Sequence, residues 1–344
     1  MKSFIIIIAN MILTLSIYAD VNPQDKLPQL HQAIISGDIS KVKTLVGHGA
    51  DINQLDRKMG NTPLHIAAQT DHSHIVKYLI QQGAFVNIQT PKSGFTPLMV
   101  AVWYAKIENI KELMKAKDLN IFIKTPQGLT AEQWIGGWDQ ELDNNEISLI
   151  NAIKNIFKAY KQTLTQKVSN QKLINILLDQ ELSLKQKTVS VHKSIEKGYN
   201  VNQVQPVIGN GNDTHTPLLI AARSGYTDIV KDLLSAGADQ RITGYLMNAV
   251  ALHKAAYKGH PEVLKLLIAD KNVKDVLNDV GPNNGYTPLH DAVWHGNTDA
   301  AKVLIDAGAR LDIKNYEGDT PLELAKRYKY TEIAEYIKNL LTKN

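Results

Sequence analysis

The sequence predicts an all-α protein built from repeated helix–turn–helix units, and two observations lead to this prediction. The dipeptide Thr-Pro, or a degenerate form of it, recurs at intervals of 33 to 37 residues outside one longer interval. Each occurrence is followed by two apolar patterns with helical spacing, separated by a polar or glycine-containing break. The recurring pairs begin at Thr62, Thr96, Thr130, Thr216, Val250, Thr287 and Thr320.

Residues 285–316 show why one unit consists of two helices. Thr287 is a suitable N-cap, and Pro288 takes the first helical position, where a missing N–H costs nothing. An apolar stripe follows until Gly296 breaks the helix, and a second stripe runs until Gly308. Because such a unit leaves an apolar face uncovered, it is stable only when it stacks on copies of itself.

The motif Thr-Pro-Leu-His-x-Ala, present at 62–67 and 287–292, resembles the signature of ankyrin repeats. The turn sequence Gly-Ala-x-x-Asn, present at 49–53 and 83–87, strengthens this resemblance. The resemblance covers roughly 230 residues and implies a solenoid of about eight to nine repeats with β-hairpin-like finger loops. The repeat signal indicates an architecture but names no partner.

The chain is expected to divide into four segments. Regular repeats occupy 20–124 and 214–344, and the last repeat has a polar outer face suited to capping the array. Residues 125–213 are irregular, because the interval from Thr130 to Thr216 is too long for two ordinary repeats and too short for three. We therefore predict two irregular repeats there, with lengthened helices or loops. Helices are expected at 146–160 and 173–184.

Residues 1–19 are predicted to be a secretory signal peptide. Lys2 precedes an apolar stretch of about 15 residues, shorter than the roughly 20 that span a bilayer, and Ala19 suits a cleavage site. An uncleaved membrane anchor is the alternative, because Ile17 is larger than the residue usual before such a site. After cleavage, no other segment is apolar and long enough to span a membrane. With no cysteine in the chain, we expect a periplasmic location, with secretion as the alternative.

Composition and motifs argue against several functions. A net charge of +4 is too mild to predict nucleic-acid binding, and no common nucleophile, zinc or phosphate-binding motif is present. His65, His253 and His290 share one repeat position, at which ankyrin proteins use histidine to hydrogen-bond neighbouring loops. His72 and His74 lie where an exposed loop is expected. We therefore predict no catalytic residue, no cofactor and no metal site.

Partner-binding residues are predicted from the resemblance. In ankyrin proteins the first helices line a concave face, and the residue after a pair of small residues points toward the partner. The residues at or beside this position are Trp103, Tyr104, Arg223, Tyr257, Trp294, His295 and Arg327. Tryptophan, tyrosine and arginine dominate the binding energy of protein interfaces. A packing or groove-lining role is the alternative for these side chains.

Three functions remain open from the sequence. The favoured one is a monomeric, non-catalytic scaffold that grips another protein through the concave face and the finger loops. Similar periplasmic ankyrin proteins act as immunity or protective proteins, and this role is expected by resemblance. The alternatives are a secreted effector that binds a host protein, and an enzyme with its site in residues 125–213.

Overall fold

The computed structural model describes residues 27–137, 142–209, 211–244, 248–271 and 273–342. The predicted signal peptide at 1–19 lies outside the described residues. Within these ranges the regular structure is helical, apart from one isolated antiparallel bridge between Gly244 and Ala249. The all-α prediction is therefore confirmed. None of the helices in the described ranges has the length and hydropathy needed to cross a membrane.

The helices of the described ranges form nine consecutive pairs along the chain, which we number as repeats one to nine. The first helices are Gln29–Ile35, Pro63–Gln69, Pro97–Trp103, the 3₁₀ turn Ala131–Trp134, Lys172–Leu178, Pro217–Ser224, Ala251–Lys258, Pro288–Trp294 and Pro321–Arg327. The second helices are Ile39–Gly47, Ser73–Gln81, Ile107–Leu113, Asn144–Ser169, Leu184–Glu196, Thr227–Ser235, Pro261–Ala269, Thr298–Asp306 and Thr331–Leu341. A short 3₁₀ turn, Val273–Asp275, follows repeat seven.

The Thr-Pro motif starts the first helices as the sequence predicts. The hydroxyl oxygen of Thr287 accepts a hydrogen bond from the backbone N–H of His290, and Pro288 occupies the first helical position. The first helix of repeat six ends at Gly225, which has a left-handed φ of 72°. A Cβ atom added to Gly225 would lie 2.8 Å from the ring of His260 in the next repeat, so glycine is required there for both conformation and space.

Buried histidines join consecutive repeats. The Nε2–H of His65 donates to the carbonyl of Phe95 at 2.9 Å, while its Nδ1 lies 2.8 Å from the Thr62 hydroxyl. His290 repeats this arrangement, with Asp319 as its carbonyl acceptor at 3.2 Å. Each accepting residue stands immediately before the threonine that caps the first helix of the following repeat. The predicted structural role of these histidines is confirmed, because each fixes one repeat to the next finger loop.

Two histidines keep the inter-repeat bond without the threonine cap. His31 reaches the carbonyl of Asn61 at 3.0 Å, and His253 reaches that of Tyr286 at 3.1 Å. The preceding caps are Pro28 and Val250, which carry no hydroxyl, and in both histidines Nδ1 is left without a partner. Degenerate copies of the motif thus lose the cap but retain the bond between repeats.

The contacts divide the chain into two compact units, each with its own core. The first unit runs to Thr165 and includes Val207–Gly209, so it holds repeats one to three and most of repeat four. Its core combines the small side chains between first helices with large ones such as Phe157, which is fully buried. The second unit comprises the remaining residues and holds repeats five to nine around a separate apolar cluster.

Residues 130–216 contain two irregular repeats. The second helix of repeat four, Asn144–Ser169, begins and ends beyond the predicted 146–160. The single helix predicted at 173–184 is wrong: it ends at Leu178, and a separate helix begins at Leu184. Ser183 starts that second helix, because its hydroxyl accepts from the N–H of Gln186 and the Gln186 side chain accepts from the N–H of Ser183.

Repeat five replaces the usual histidine with other polar side chains. The side-chain amide of Gln171, just before the first helix, donates to the carbonyl of Val204 at 2.7 Å. Lys187, from the second helix, donates to the carbonyl of Leu177 at 2.9 Å and is almost fully buried. The lysine also lies 5.6 Å from the ring centre of Tyr226. These bonds satisfy backbone carbonyls that would otherwise be buried without partners.

Replacing His290 with alanine should lower the free energy of unfolding by about 2 kcal/mol, because it removes the ring that donates to the carbonyl of Asp319 and accepts from the backbone N–H of Thr287. Urea unfolding followed by circular dichroism measures this loss. His48→Ala is the matched control, since His48 is exposed on repeat one and should change stability little. Equal effects of the two substitutions would contradict the proposed role of the histidine bonds.

Candidate partner-binding surface

The predicted partner-binding residues all lie at the C-terminal ends of first helices. Trp103, Trp294 and Arg327 are the last residues of their helices, while Tyr104 and His295 are the capping residues that follow. Arg223 and Tyr257 lie one residue before the helix end, so all seven share one location in their repeats. Trp103 and Tyr104 belong to the first unit and the other five to the second. We call these ends the first-helix row.

Trp103 is part of an aromatic cluster in the first unit. Its ring centre lies 6.1 Å from that of Phe95 and 5.4 Å from that of Trp134, and the latter two rings are 5.1 Å apart. Trp134 is buried, whereas Trp103 and Phe95 are half-buried. The contacts with Trp134 show that part of the Trp103 ring serves packing, and part remains available at the surface.

Trp294 lies in a second aromatic cluster, formed with Tyr257, Tyr286 and His295. The Trp294 ring centre is 5.6 Å from Tyr286, 6.2 Å from Tyr257 and 4.6 Å from His295. Tyr286 is buried and Trp294 half-buried, while Tyr257 and His295 are exposed. Trp294 therefore packs against its neighbours. Its ring contacts help to hold the exposed rings of Tyr257 and His295 in position. The sequence did not single out Tyr286, whose ring contacts the Trp294 ring edge to face.

The two arginines of the row have different partners. Arg327 forms ion pairs with Glu317 and Asp319, and the hydrogen bond to Glu317 raises the pKa of the arginine. Arg223 instead donates to neutral oxygens, namely the carbonyl of Gly211 at 3.2 Å and the side chain of Asn212. Burial lowers the pKa of Arg223. The charge of Arg327 is therefore neutralised within the chain, whereas Arg223 keeps its charge without a carboxylate partner among the described residues.

Two more ionisable side chains lie on the first helices of repeats seven and eight. Burial raises the pKa of Asp291 to about 7, and the positive charge of Lys254 opposes that rise. The pKa of Lys254 is lowered by burial and by repulsion from Arg223. Sequence reasoning passed over both residues, because they occupy the variable x position of the Thr-Pro-Leu-His-x-Ala motif, where Ile66 and Ile220 are apolar.

The described ranges contain no group of three or more His, Asp or Glu side chains arranged to hold a metal ion. His72 and His74 make an edge-to-face ring contact at 5.9 Å. His72 also covers Gly37 of the preceding repeat, where an added Cβ would meet its ring at 2.5 Å. The position of His72 is thus explained by packing between repeats one and two.

Comparison with protein families assigns this architecture. The model for ankyrin repeats (three copies) matches residues 30–124, 151–275 and 252–343. The chain therefore belongs to the ankyrin-repeat family, whose repeats mediate protein–protein binding. The internal stretch left unmatched, 125–150, holds the 3₁₀ turn of repeat four and the start of its long second helix.

Similar proteins have varied names. The chain is 35% identical over 124 residues to the tyrosine-protein kinase HTK16 of Hydra vulgaris, a match that covers 36% of this chain and 16% of the kinase. An ankyrin repeat protein of Rickettsia bellii is 37% identical over 86 residues, covering 24% of this chain and 51% of that protein. The rat cyclin-dependent kinase 4 inhibitor B is 32% identical over 134 residues, covering 38% of this chain and 95% of the inhibitor. The chain spans only a minor part of the kinase and about half of the Rickettsia protein.

Acidification from pH 7 to pH 4.5 should destabilise the protein. Burial lowers the pKa of His65 and of His215 to about 4, and it also lowers the pKa of His31, His253 and His290. Between about pH 6.5 and pH 4 the unfolded chain therefore binds protons that the folded chain excludes, so stability falls as pH falls.

Asp291 changes the stability in the opposite direction. Because its pKa is raised in the folded state, it adds stability at low pH, and this stability is lost as the pH rises toward 7. Because several histidines oppose this single aspartate, we expect the free energy of unfolding to fall by about 1 to 3 kcal/mol between pH 7 and pH 4.5. Urea midpoints measured at both pH values test this, and His65→Gln should reduce the difference. A midpoint that is unchanged or higher at pH 4.5 would refute the prediction.

Proposed function

We propose that this chain is a non-catalytic scaffold that binds another protein through the first-helix row and the neighbouring finger loops. The observation that carries the proposal is the second aromatic cluster, in which Tyr257 and His295 are exposed while Tyr286 and Trp294 hold them in place. Rigid aromatic side chains lose little conformational entropy on binding and are typical anchors of protein interfaces.

The geometry of the row suits recognition of a protein. In the second unit its side chains come from the consecutive first helices of repeats six to nine. The helices of repeats seven and eight are fixed to the next finger loop by the hydrogen bonds of His253 to Tyr286 and of His290 to Asp319. Side chains held in this way need little rearrangement when the partner binds, so less conformational entropy is lost. Membership of the ankyrin-repeat family supports the same kind of activity.

We favour binding over catalysis for the irregular repeats as well. Three of their polar side chains have structural partners: Lys161 pairs with Glu132, Lys187 donates to the carbonyl of Leu177, and the side-chain amide of Gln171 donates to the carbonyl of Val204. The match to the Hydra kinase covers 16% of that enzyme, so its name gives no argument for an activity here. Turnover of a substrate that is lost on mutation of residues 125–213 would revive the enzyme alternative.

We also propose that residues 1–19 direct export and that the protein works in a bacterial periplasm, as an immunity or protective protein. The apolar stretch after Lys2 and the small residue Ala19 support export. The match to a Rickettsia protein supports a bacterial setting. The alternative role, a secreted effector that binds a host protein, would need a further export step.

The binding role is tested by capturing the partner from the native host, identifying it by mass spectrometry and measuring its affinity for variants. Trp103→Ala, Tyr257→Ala and Trp294→Ala combined should weaken binding by about a hundredfold or more, since each interface anchor contributes about 1 to 2 kcal/mol. Tyr199→Ala is the control, because Tyr199 is similarly exposed but follows a second helix. Unchanged affinity in the triple variant would overturn the proposed surface.

Location is tested by cell fractionation combined with mass measurement of the mature chain. The proposal expects the protein in the periplasmic fraction, with a mass reduced by residues 1–19. Recovery from the culture supernatant would favour the secreted effector. A full-length chain in the membrane fraction would instead support an uncleaved anchor.

A further inference from the structure

Three cationic side chains in the second unit lie close together without a carboxylate partner. Lys254 and Lys258 are four residues apart in the first helix of repeat seven, so they share one face of that helix. Arg223 lies on the adjacent first helix of repeat six, close enough for its charge to repel that of Lys254. None of the three has a carboxylate oxygen within 4.0 Å in the described part of the chain. We call them the cation triplet.

Many other cations of the same unit are neutralised internally. On the second helices, Lys265 pairs with Glu262 and Lys302 with Glu332, both at 2.7 Å. On the finger loops, Arg241 pairs with Asp239 at 2.9 Å and Arg310 with Asp312 at 2.7 Å. Even the row's own Arg327 is neutralised by Glu317 and Asp319. The cation triplet therefore differs from these paired cations, and it is set apart from single lysines that are unpaired in the described ranges, such as Lys231, by the closeness of its three charges.

The cation triplet adjoins the second aromatic cluster. The ammonium group of Lys258 lies 5.2 Å from the ring centre of Tyr257, and the Tyr257 ring lies 4.0 Å from that of His295. Asp291 faces Lys254 from the next first helix, but it is almost fully buried and partly protonated near neutral pH. The carboxyl group of Asp291 therefore offsets only part of the positive charge.

We infer that this surface binds an acidic segment of the partner protein, with its carboxylates on Arg223, Lys254 and Lys258 and an adjacent apolar side chain on Trp294 and Tyr257. The inference rests on the proposed binding function and adds the chemistry of the partner. Carboxylates would supply the counter-charges that the chain lacks here. Arginine and half-buried lysine bind them more strongly than fully exposed lysine does, because less water must be displaced on binding.

The inference is tested by selecting a random peptide display library on the full chain and measuring the composition of the peptides that bind. We expect enrichment of Asp and Glu next to Leu, Phe or Trp. Affinities of a selected peptide, measured by fluorescence anisotropy, should fall about tenfold for Lys258→Gln and further for Arg223→Gln with Lys254→Met. The matched control is Lys231→Gln, which removes an exposed charge from a second helix.

Asp291→Asn gives a prediction of opposite sign, because removing the carboxylate that interacts with Lys254 should tighten binding of the acidic peptide about two- to tenfold at pH 7.5. Unfolding curves of all variants test whether each is folded. Lys258→Gln is expected to leave the free energy of unfolding unchanged, because the Lys258 side chain is exposed. The affinity should also fall as salt concentration rises.

The outcomes separate this inference from the proposed function. If Tyr257→Ala and Trp294→Ala abolish binding while the cation variants do not, the scaffold role stands and the acidic partner is wrong. If only the cation variants matter, the aromatic anchors of the proposed function are wrong. A selection without acidic enrichment, including one that returns no binder, overturns the inference. The inference is also overturned if a labelled single-stranded oligonucleotide binds more tightly than the selected peptide and if its binding is lost in the variants of the same three cations.

Discussion

The hydrogen bond from a buried histidine to a carbonyl of the next finger loop is the recurring polar interaction that joins repeats one, two, seven and eight to the repeats that follow them. In His65 and His290 it requires a neutral ring, because Nε2 donates to the carbonyl while Nδ1 accepts from the backbone N–H of Thr62 or Thr287. Burial strengthens this hydrogen bond, and it also makes protonation of the histidine ring unfavourable. Stability between repeats and sensitivity to acid therefore have one cause.

Much of the fold could be predicted from the sequence because each regular repeat encodes its own boundaries. Threonine caps, proline at the first helical position and glycine after the helix are local signals, and the repeats stack because their small residues recur at fixed positions. Residues 172–196 were harder, since apolar spacing alone continues through Leu178 and Leu184. The capping pair Ser183 and Gln186 was the available signal for the break, and it is local too.

The surface was less predictable than the fold. The shared repeat position placed Tyr257 and Trp294 in one row, but only the structure shows that Tyr286 supports Trp294 and that Arg327 is neutralised by Glu317 and Asp319. These contacts join residues from a finger loop to residues of a first helix, and no spacing rule describes them. Lys254 and Asp291 were missed for a different reason: each is a charged residue at the variable position of the repeat motif, and its role depends on the charged residues of the neighbouring repeat.

The finger loops are each closed at the base by a backbone hydrogen bond, and this has a consequence for how the protein can vary. The bond joins Asp56 to Asn61 in one finger and Gln205 to His215 in another, so the length of chain between the bonded residues differs while the closure is kept. Since the adjoining helices depend on the closure and not on the tip, a tip can be lengthened or replaced at little thermodynamic cost. New recognition elements could thus be grafted or evolved one repeat at a time, without rebuilding the array that carries them.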